Sequence, residues 1–308
     1  MIRFEKVTKT YANEDALHNL DLSISAGELF VLVGPSGSGK TTLLKMINRL
    51  VVPTSGKVTI DDENVADMNL EELRRHTGYV LQAGALFPNM TVEQNAAIQL
   101  EALGWPEPKR HARILELLKR VDLAPELFLQ RKPSELSGGE AQRVGIVRAL
   151  ASNPNLVLMD EPFSALDPLS KRQLQALVLE LHRELKTTFV FVTHDMREAI
   201  RLADRLAVIH NGELQQLGKP ADILADPANE FVRDFFDDPV ARQRFLKQVI
   251  DSGFGRSISV DDQYVALKGS DTIFQWAALV QQTATQNIRV GNRLLEPVDL
   301  IDYMATLK

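Results

Sequence analysis

Gly34-Pro35-Ser36-Gly37-Ser38-Gly39-Lys40-Thr41, followed by Thr42, is the stretch on which the fold turns. It fits G-x-x-x-x-G-K-[ST], the pattern of a loop that cradles phosphate. Glycine lets the backbone bend tightly and approach an anion closely. Successive N–H groups then form a concave anion nest, and a helix opening near Gly39 adds its positive end. Lys40 is placed to reach the β- and γ-phosphates of a nucleotide, and the Thr41 hydroxyl to ligate Mg²⁺. The flanks agree: Leu29-Phe30-Val31-Leu32-Val33 reads as a buried strand, and Thr42 to Ile47 continues as a helix. The internal Gly37-x-Gly39 does not make a dinucleotide fingerprint, because Thr42 stands where a further Gly or Ala is expected.

Two more strings accompany it. Leu156-Val157-Leu158-Met159-Asp160-Glu161 reads as a buried parallel strand carrying two carboxylates at its C-terminal end, where α/β sheets place ligands. Asp160 is the candidate for Mg²⁺, and Glu161 for orienting and polarising an attacking water. Leu136-Ser137-Gly138-Gly139-Glu140 precedes a helical pattern from Ala141 to Ala151. A serine cap, two glycines and a helix start make a second anion site.

Together these strings resemble the ATP-binding subunit of ABC transporters over about residues 1–236, and further residues match in order. The resemblance implies that Tyr11 stacks on adenine and that Gln82 senses Mg²⁺ and the attacking water. It implies that Ser164-Ala165-Leu166-Asp167 crosses a dimer interface. His194, after Phe189-Val190-Phe191-Val192-Thr193, matches the histidine that contacts the γ-phosphate. It further implies two ATP molecules sandwiched between two copies, with Ser137, Gly138 and Gly139 closing over the γ-phosphate held by the other copy. Glu140 departs from the commonest family pattern, which has Gln there. A carboxylate near phosphate is repulsive unless it points away or pairs with a cation.

Composition sets the frame. The chain has 308 residues, enough for a large α/β domain and a smaller one. Hydrophobic residues make up 44% and charged residues 25%, the balance of a globular protein. A net charge of −6 argues against a nucleic-acid partner. No apolar run approaches the roughly 18 residues of a membrane span, and the first residues alternate like a strand rather than a secretory signal. With no cysteine there are neither disulfides nor thiolate metal sites, which suits the cytosol. The six histidines lack metal spacing.

The expected architecture is an α/β P-loop NTPase fold with a helical subdomain over 1–236, a linker helix over 237–251, and a small α+β domain over 252–308. Residues 107–122 predict an amphipathic helix with Ile114, Leu117, Leu118 and Val121 on one face. Asp237-Asp238-Pro239 reads as a break. Beyond Gly255, strands near 257–260 and 264–267, a helix near 271–284, strands near 287–290 and 293–295, and a helix from Pro297 resemble a single cystathionine-β-synthase (CBS) repeat. There Glu296-Pro297-Val298-Asp299 keeps the Asp of the repeat's Thr-x-x-Asp pattern and loses the Thr.

Within the ABC group, Lys45–Leu50, Gly84–Val92 and Pro227–Val232 look like the importers of glycine betaine, carnitine and choline, with amino-acid or methionine importers as the nearest alternative. Cation–π cages for quaternary amines need clustered aromatics, and the two Trp and four Tyr form no such cluster, so the transported compound is expected not to touch this chain. The resemblance implies a peripheral subunit at the cytoplasmic face. Its partners would be a membrane permease and, indirectly, a substrate-binding protein. Leu86-Phe87-Pro88 would be the patch that receives the permease. One phosphate loop and no long heptad run set the chain apart from soluble ABC proteins of ribosomes or DNA, and the lack of spans sets it apart from fused exporters.

Overall fold

The computed structural model describes residues 1–12, 14–81, 85–236, 246–258, 264–269, 271–282 and 287–306. The chain opens with β1 (Ile2–Tyr11) and β2 (Glu14–Ile24), paired antiparallel. β3 (Leu29–Val33) and α1 (Lys40–Ile47) follow, then β4 (Ser55–Ile60), β5 (Glu63–Asn64), α2 (Leu70–Arg75) and β6 (Thr77–Val80). A helical segment comes next: α3 (Val92–Ala102), α4 (Glu107–Arg120), α5 (Pro125–Phe128) and α6 (Gly138–Leu150). Strand and helix then alternate through β7 (Leu156–Asp160), α7 (Pro168–Leu185), β8 (Thr188–Thr193), α8 (Met196–Leu202), β9 (Arg205–His210) and β10 (Glu213–Gly218).

The six-stranded sheet has the order β10-β9-β3-β8-β7-β6. Its pairs β3–β8, β3–β9, β7–β8 and β6–β7 are parallel. All five residues of β3 and all six of β8 are buried, as strands covered on both faces must be. Each such large apolar side chain contributes about 1.5–3 kcal/mol of burial, which fixes the register of these strands. Phe30, Leu32, Leu158, Val190 and Ala207 form one core with α1 and with the antiparallel sheet of order β2-β1-β4-β5. On the helical side, α3, α4 and α6 pack on one another, burying the expected stripe of Ile114, Leu117, Leu118 and Val121.

The chain divides into two compact units between Leu217 and Gly218, earlier than the expected residue 236. α9 (Pro220–Ala225) and α10 (Glu230–Phe235) therefore group with the C-terminal residues. One reason is visible: Lys247 Nζ donates to the Ala225 carbonyl at the C-terminal end of α9, at 2.8 Å. The second unit continues with α11 (Leu246–Asp251), β11 (Arg256–Ser257), β12 (Val265–Leu267), α12 (Ile273–Gln282), β13 (Ile288–Val290), β14 (Arg293–Leu295) and α13 (Pro297–Thr306). Its sheet has the order β11-β14-β13-β12, over a core of Leu246, Val249, Ile273, Trp276, Ile288, Val290, Leu295 and Tyr303. Asp299 is occupied inside this unit: its carboxylate accepts the N–H of Glu296 at 2.7 Å and of Gly255 at 3.4 Å. The expected break at 237–239 lies outside the described residues.

Candidate nucleotide-binding site

Three adjacent parallel strands end at one edge of the sheet. β3 runs into residues 34–39, β7 ends at Asp160, and β8 between them is followed by His194. That edge is where open α/β sheets bind ligands.

The loop is built by space as much as by torsion. A Cβ on Gly34 would lie 2.0 Å from the Ile209 carbonyl oxygen, so only glycine fits. Gly39 has φ 100°, and its Cβ would lie 2.6 Å from both the Ala16 oxygen and the Leu17 Cδ2. β2 thus packs on the loop, and its partner strand β1 ends in Tyr11, 47% exposed with the Lys9 ammonium 4.9 Å from its ring. Ser36 and Gly37 form the exposed tip, and Ser38 N–H donates back to the Pro35 carbonyl. Ser38 Oγ is buried with no hydrogen-bond partner among the described residues, a group built to meet something from outside the fold.

Lys40 opens α1 and is buried. Its Nζ donates to the carbonyls of Gly34 and Pro35 at 2.8 and 2.7 Å, which holds the ammonium inside the loop. Burial pushes its pKa down, opposed by the charges of Glu161 and Asp160. The Thr41 hydroxyl donates to Asp160 Oδ1 at 2.9 Å, while Thr42 lies half-buried in the same turn. A hydroxyl beside a carboxylate is a hard oxygen pair of the kind that suits Mg²⁺. Among the described residues no cluster of three His, Asp or Glu gathers. Tyr79, one strand over, has its ionisation pushed up by burial and then by the charge of Asp160.

Glu161 has φ 44°, a left-handed conformation that is uncommon for a non-glycine residue and is shared here by several turn residues such as Asp61 and Asn153. Its N–H donates to the Val192 carbonyl at 3.1 Å. Its Oε2 lies 3.0 Å from His194 Nδ1. The structure therefore brings Lys40, Thr41, Asp160, Glu161 and His194 together. Gln82 lies outside the described residues.

Ser137, Gly138 and Gly139 stand elsewhere. Ser137 caps α6, and a Cβ on Gly138 or Gly139 would meet Leu166 at 3.7 Å or Ser170 at 3.6 Å rather than the phosphate loop. Glu140 turns back: its Oε2 accepts the Ser137 N–H at 2.7 Å while its own N–H donates to Ser137 Oγ. This capping box was readable as S-x-x-E. The carboxylate points to its own helix end.

A glycine-built phosphate loop, a strand-end carboxylate pair and a facing histidine on a parallel sheet define a P-loop nucleotide-binding ATPase domain. The family model for ABC transporters matches residues 17–164. The choline transport ATP-binding protein of Bacillus subtilis is 44% identical over 308 residues, 98% of this chain and 80% of that protein. The glycine betaine/carnitine/choline transport ATP-binding protein of the same organism is 52% identical over 248 residues, 80% of this chain. This chain spans 64% of that relative's length. A dimeric ATP-binding cassette solved in a post-hydrolysis state with ADP and phosphate is 37% identical, with a TM-score of 0.65 over 71% of this chain and 99% of its own. The chain belongs to the ATP-binding subunits of ABC transporters.

Proposed function

We propose that this chain hydrolyses ATP to energise import of a quaternary ammonium osmoprotectant, of the glycine betaine, choline and carnitine class, through a membrane permease. The observation that carries the ATPase reading is the meeting of Lys40, Thr41, Asp160, Glu161 and His194 at one sheet edge. Phosphoryl transfer to water demands positioning and charge stabilisation rather than covalent chemistry. Residues 34–39 bind the phosphates through backbone N–H groups, Lys40 supplies fixed positive charge, and Tyr11 offers its exposed ring to adenine. Glu161 orients and polarises the water, held at Oε2 by His194. Thr41 and Asp160, with Gln82, would hold Mg²⁺, which when bound neutralises phosphate charge. Ser137, Gly138 and Gly139 serve the nucleotide of a second copy.

The substrate class rests on the relatives' names, and the transported compound would meet the permease and a substrate-binding protein rather than this chain. No described helix is long and apolar enough to cross a membrane, and the reading places the chain at the cytoplasmic face. A groove of about 770 Å³, lined in part by Leu70, Arg74, Tyr79, Leu81, Phe87 and Arg148, would take a helix of the permease, with Phe87 half-exposed at its wall. Phe87→Ala should weaken transport and spare ATP binding. Wild-type transport would remove the docking role.

The test of the central reading is Glu161→Gln. It should bind ATP, accumulate as a closed dimer by light scattering, and lose about 10²–10⁴-fold in hydrolysis. Ordinary hydrolysis would end the assignment of Glu161. The substrate class is tested by ligand binding to the associated substrate-binding protein, where preference for an amino acid over a betaine would overturn it.

A further inference from the structure

Four residues that the nucleotide site does not use form a compact polar joint. Lys171 Nζ, one turn into α7, donates to Asp195 Oδ2 and Glu198 Oε1, each at 2.7 Å. Glu198 is only 4% exposed, and its Oε2 accepts the Thr193 hydroxyl. Thr193 Oγ1 accepts the Asp195 N–H at 3.0 Å, and Asp195 Oδ1 accepts the Arg197 N–H at 2.8 Å. A buried carboxylate held this way is costly to strand, so these contacts tie the start of α7 to the β8–α8 turn. His194 sits in that turn, between Thr193 and Asp195.

The tie closes a ring. Ser164 Oγ donates to the Glu161 carbonyl at 3.0 Å. Asp167 caps α7 by accepting the N–H groups of Leu169 and Ser170, and its carbonyl accepts the Lys171 N–H at 2.9 Å. Lys171 then reaches Asp195, and His194 Nδ1 returns to Glu161 Oε2.

We propose that Lys171 is a positioning residue for hydrolysis. It makes the loop Ser164–Asp167 and His194 move as one body, so that the approach of a second copy to that loop sets His194 against Glu161. The inference rests on the roles proposed above for Glu161 and His194. A salt bridge that merely staples two helices would affect stability alone, whereas a positioning joint affects turnover at constant substrate binding.

The experiment uses the full chain with ATP and Mg²⁺, comparing wild type with Lys171→Met, Lys171→Arg, the double variant Lys171→Met/Glu198→Gln, and Glu161→Gln. Lys171→Met should keep the KM for ATP within about twofold and lose about 10- to 100-fold in kcat, the scale of a slight misplacement of reacting groups. Lys171→Arg should recover most of the loss. Should Lys171→Met fail to fold, the double variant, which neutralises the more deeply buried of the two carboxylates and leaves the part-exposed Asp195, is read instead, and it should fold and stay slow. Wild-type kcat in folded Lys171→Met, or in the double variant, overturns the proposal. If Glu161→Gln is inactive in that case, the positioning role alone has failed. Full activity in Glu161→Gln shows instead that the reading of the site is at fault.

Discussion

Replacing Gly34 and Gly37 by alanine, one at a time, compares a position where space and torsion (φ 156°) both demand glycine with one where torsion alone does. At Gly34 the new methyl would lie 2.0 Å from the Ile209 carbonyl oxygen and 3.0 Å from Ser38 Oγ. A relaxed C···O contact is about 3.3–3.6 Å, so the carbonyl would have to retreat by more than an ångström. It cannot do so cheaply, since Ile209 is fully buried in β9, which is laddered to β3. Overpacking against fixed backbone puts the cost at about 3 kcal/mol or more. At Gly37, φ is 79° and no atom lies within 4 Å of the added Cβ. Only the left-handed torsion costs there, about 1–2 kcal/mol, and the loss of unfolded-state freedom returns about 0.4–1 kcal/mol. The balance is about 1 kcal/mol. For a unit of this size each kcal/mol moves the midpoint by about 2–4 °C. Scanning calorimetry of the full chain should therefore show a drop of about 6–12 °C for Gly34→Ala and about 2–4 °C for Gly37→Ala. Gly37→Ala should still bind ATP. Equal shifts, or a larger one for Gly37→Ala, would show that the close approach at Gly34 adds nothing to the torsional cost the two positions share.

Ser137→Arg should leave ATP binding by the single chain intact and cut hydrolysis at least about tenfold, because a long side chain at the α6 cap obstructs the approach of a second copy. Loss of monomer binding would contradict it. Glu140→Gln should keep the capping box and lose about 0.3–1 kcal/mol of helix-end electrostatics, with kcat within about threefold of wild type. A gain or loss beyond about tenfold would mean that the carboxylate meets phosphate after all. The Lys171 joint also carries a pH signature. Desolvation works to raise the Asp195 pKa, but the hydrogen bond and charge of Lys171 and the Arg197 and Glu198 N–H groups overcome it, and the carboxyl sits below its ordinary value. A lowered carboxylate stabilises fully above its unfolded pKa, about 3.9, and that contribution is lost as pH falls through the native value. Asp195→Asn should therefore flatten the acid limb of the stability curve below about pH 4. An unchanged limb would refute the linkage.

The phosphate loop, β3, β7 and β8 were legible because buried parallel strands are unbroken apolar runs and the loop motif sits between strand and helix. The same pattern put Asp160, Glu161 and His194 at strand ends, which is why these residues meet. What escaped the sequence depends on side-chain direction or on packing between distant elements. The direction of the Glu140 carboxylate, onto the Ser137 N–H of its own capping box, is one such case. Lys171, Asp195 and Glu198 are ordinary charges on amphipathic helices, and only the packing of α7 on α8 makes them one cluster. The division at Leu217 has a local mark, Gly218-Lys219-Pro220 between β10 and α9, but a short Gly/Pro turn of this kind also joins elements within one unit, and contacts such as Lys247 with Ala225 are what group α9 with the C-terminal residues.

The separation of Ser137–Gly139 from the phosphate loop acquires a physical meaning from the ring around Lys171. α6 packs on α7, and Gly138 and Gly139 lie against Leu166 and Ser170, at the very start of α7. Leu169, in that same turn, is 65% exposed, an apolar side chain suited to burial by a second copy. The surface proposed to close on another copy's nucleotide is thus built on the helix start that Lys171 ties to the turn holding this copy's His194. A rigid connection of that kind requires no long-range pathway, only one body carrying two contact surfaces. Engagement of residues 137–139 with a neighbouring nucleotide and alignment of His194 with Glu161 would then be one displacement. Each copy would hydrolyse efficiently only while it also serves its partner. For that reason the kcat of Lys171→Met, rather than its affinity for ATP, is the quantity that discriminates.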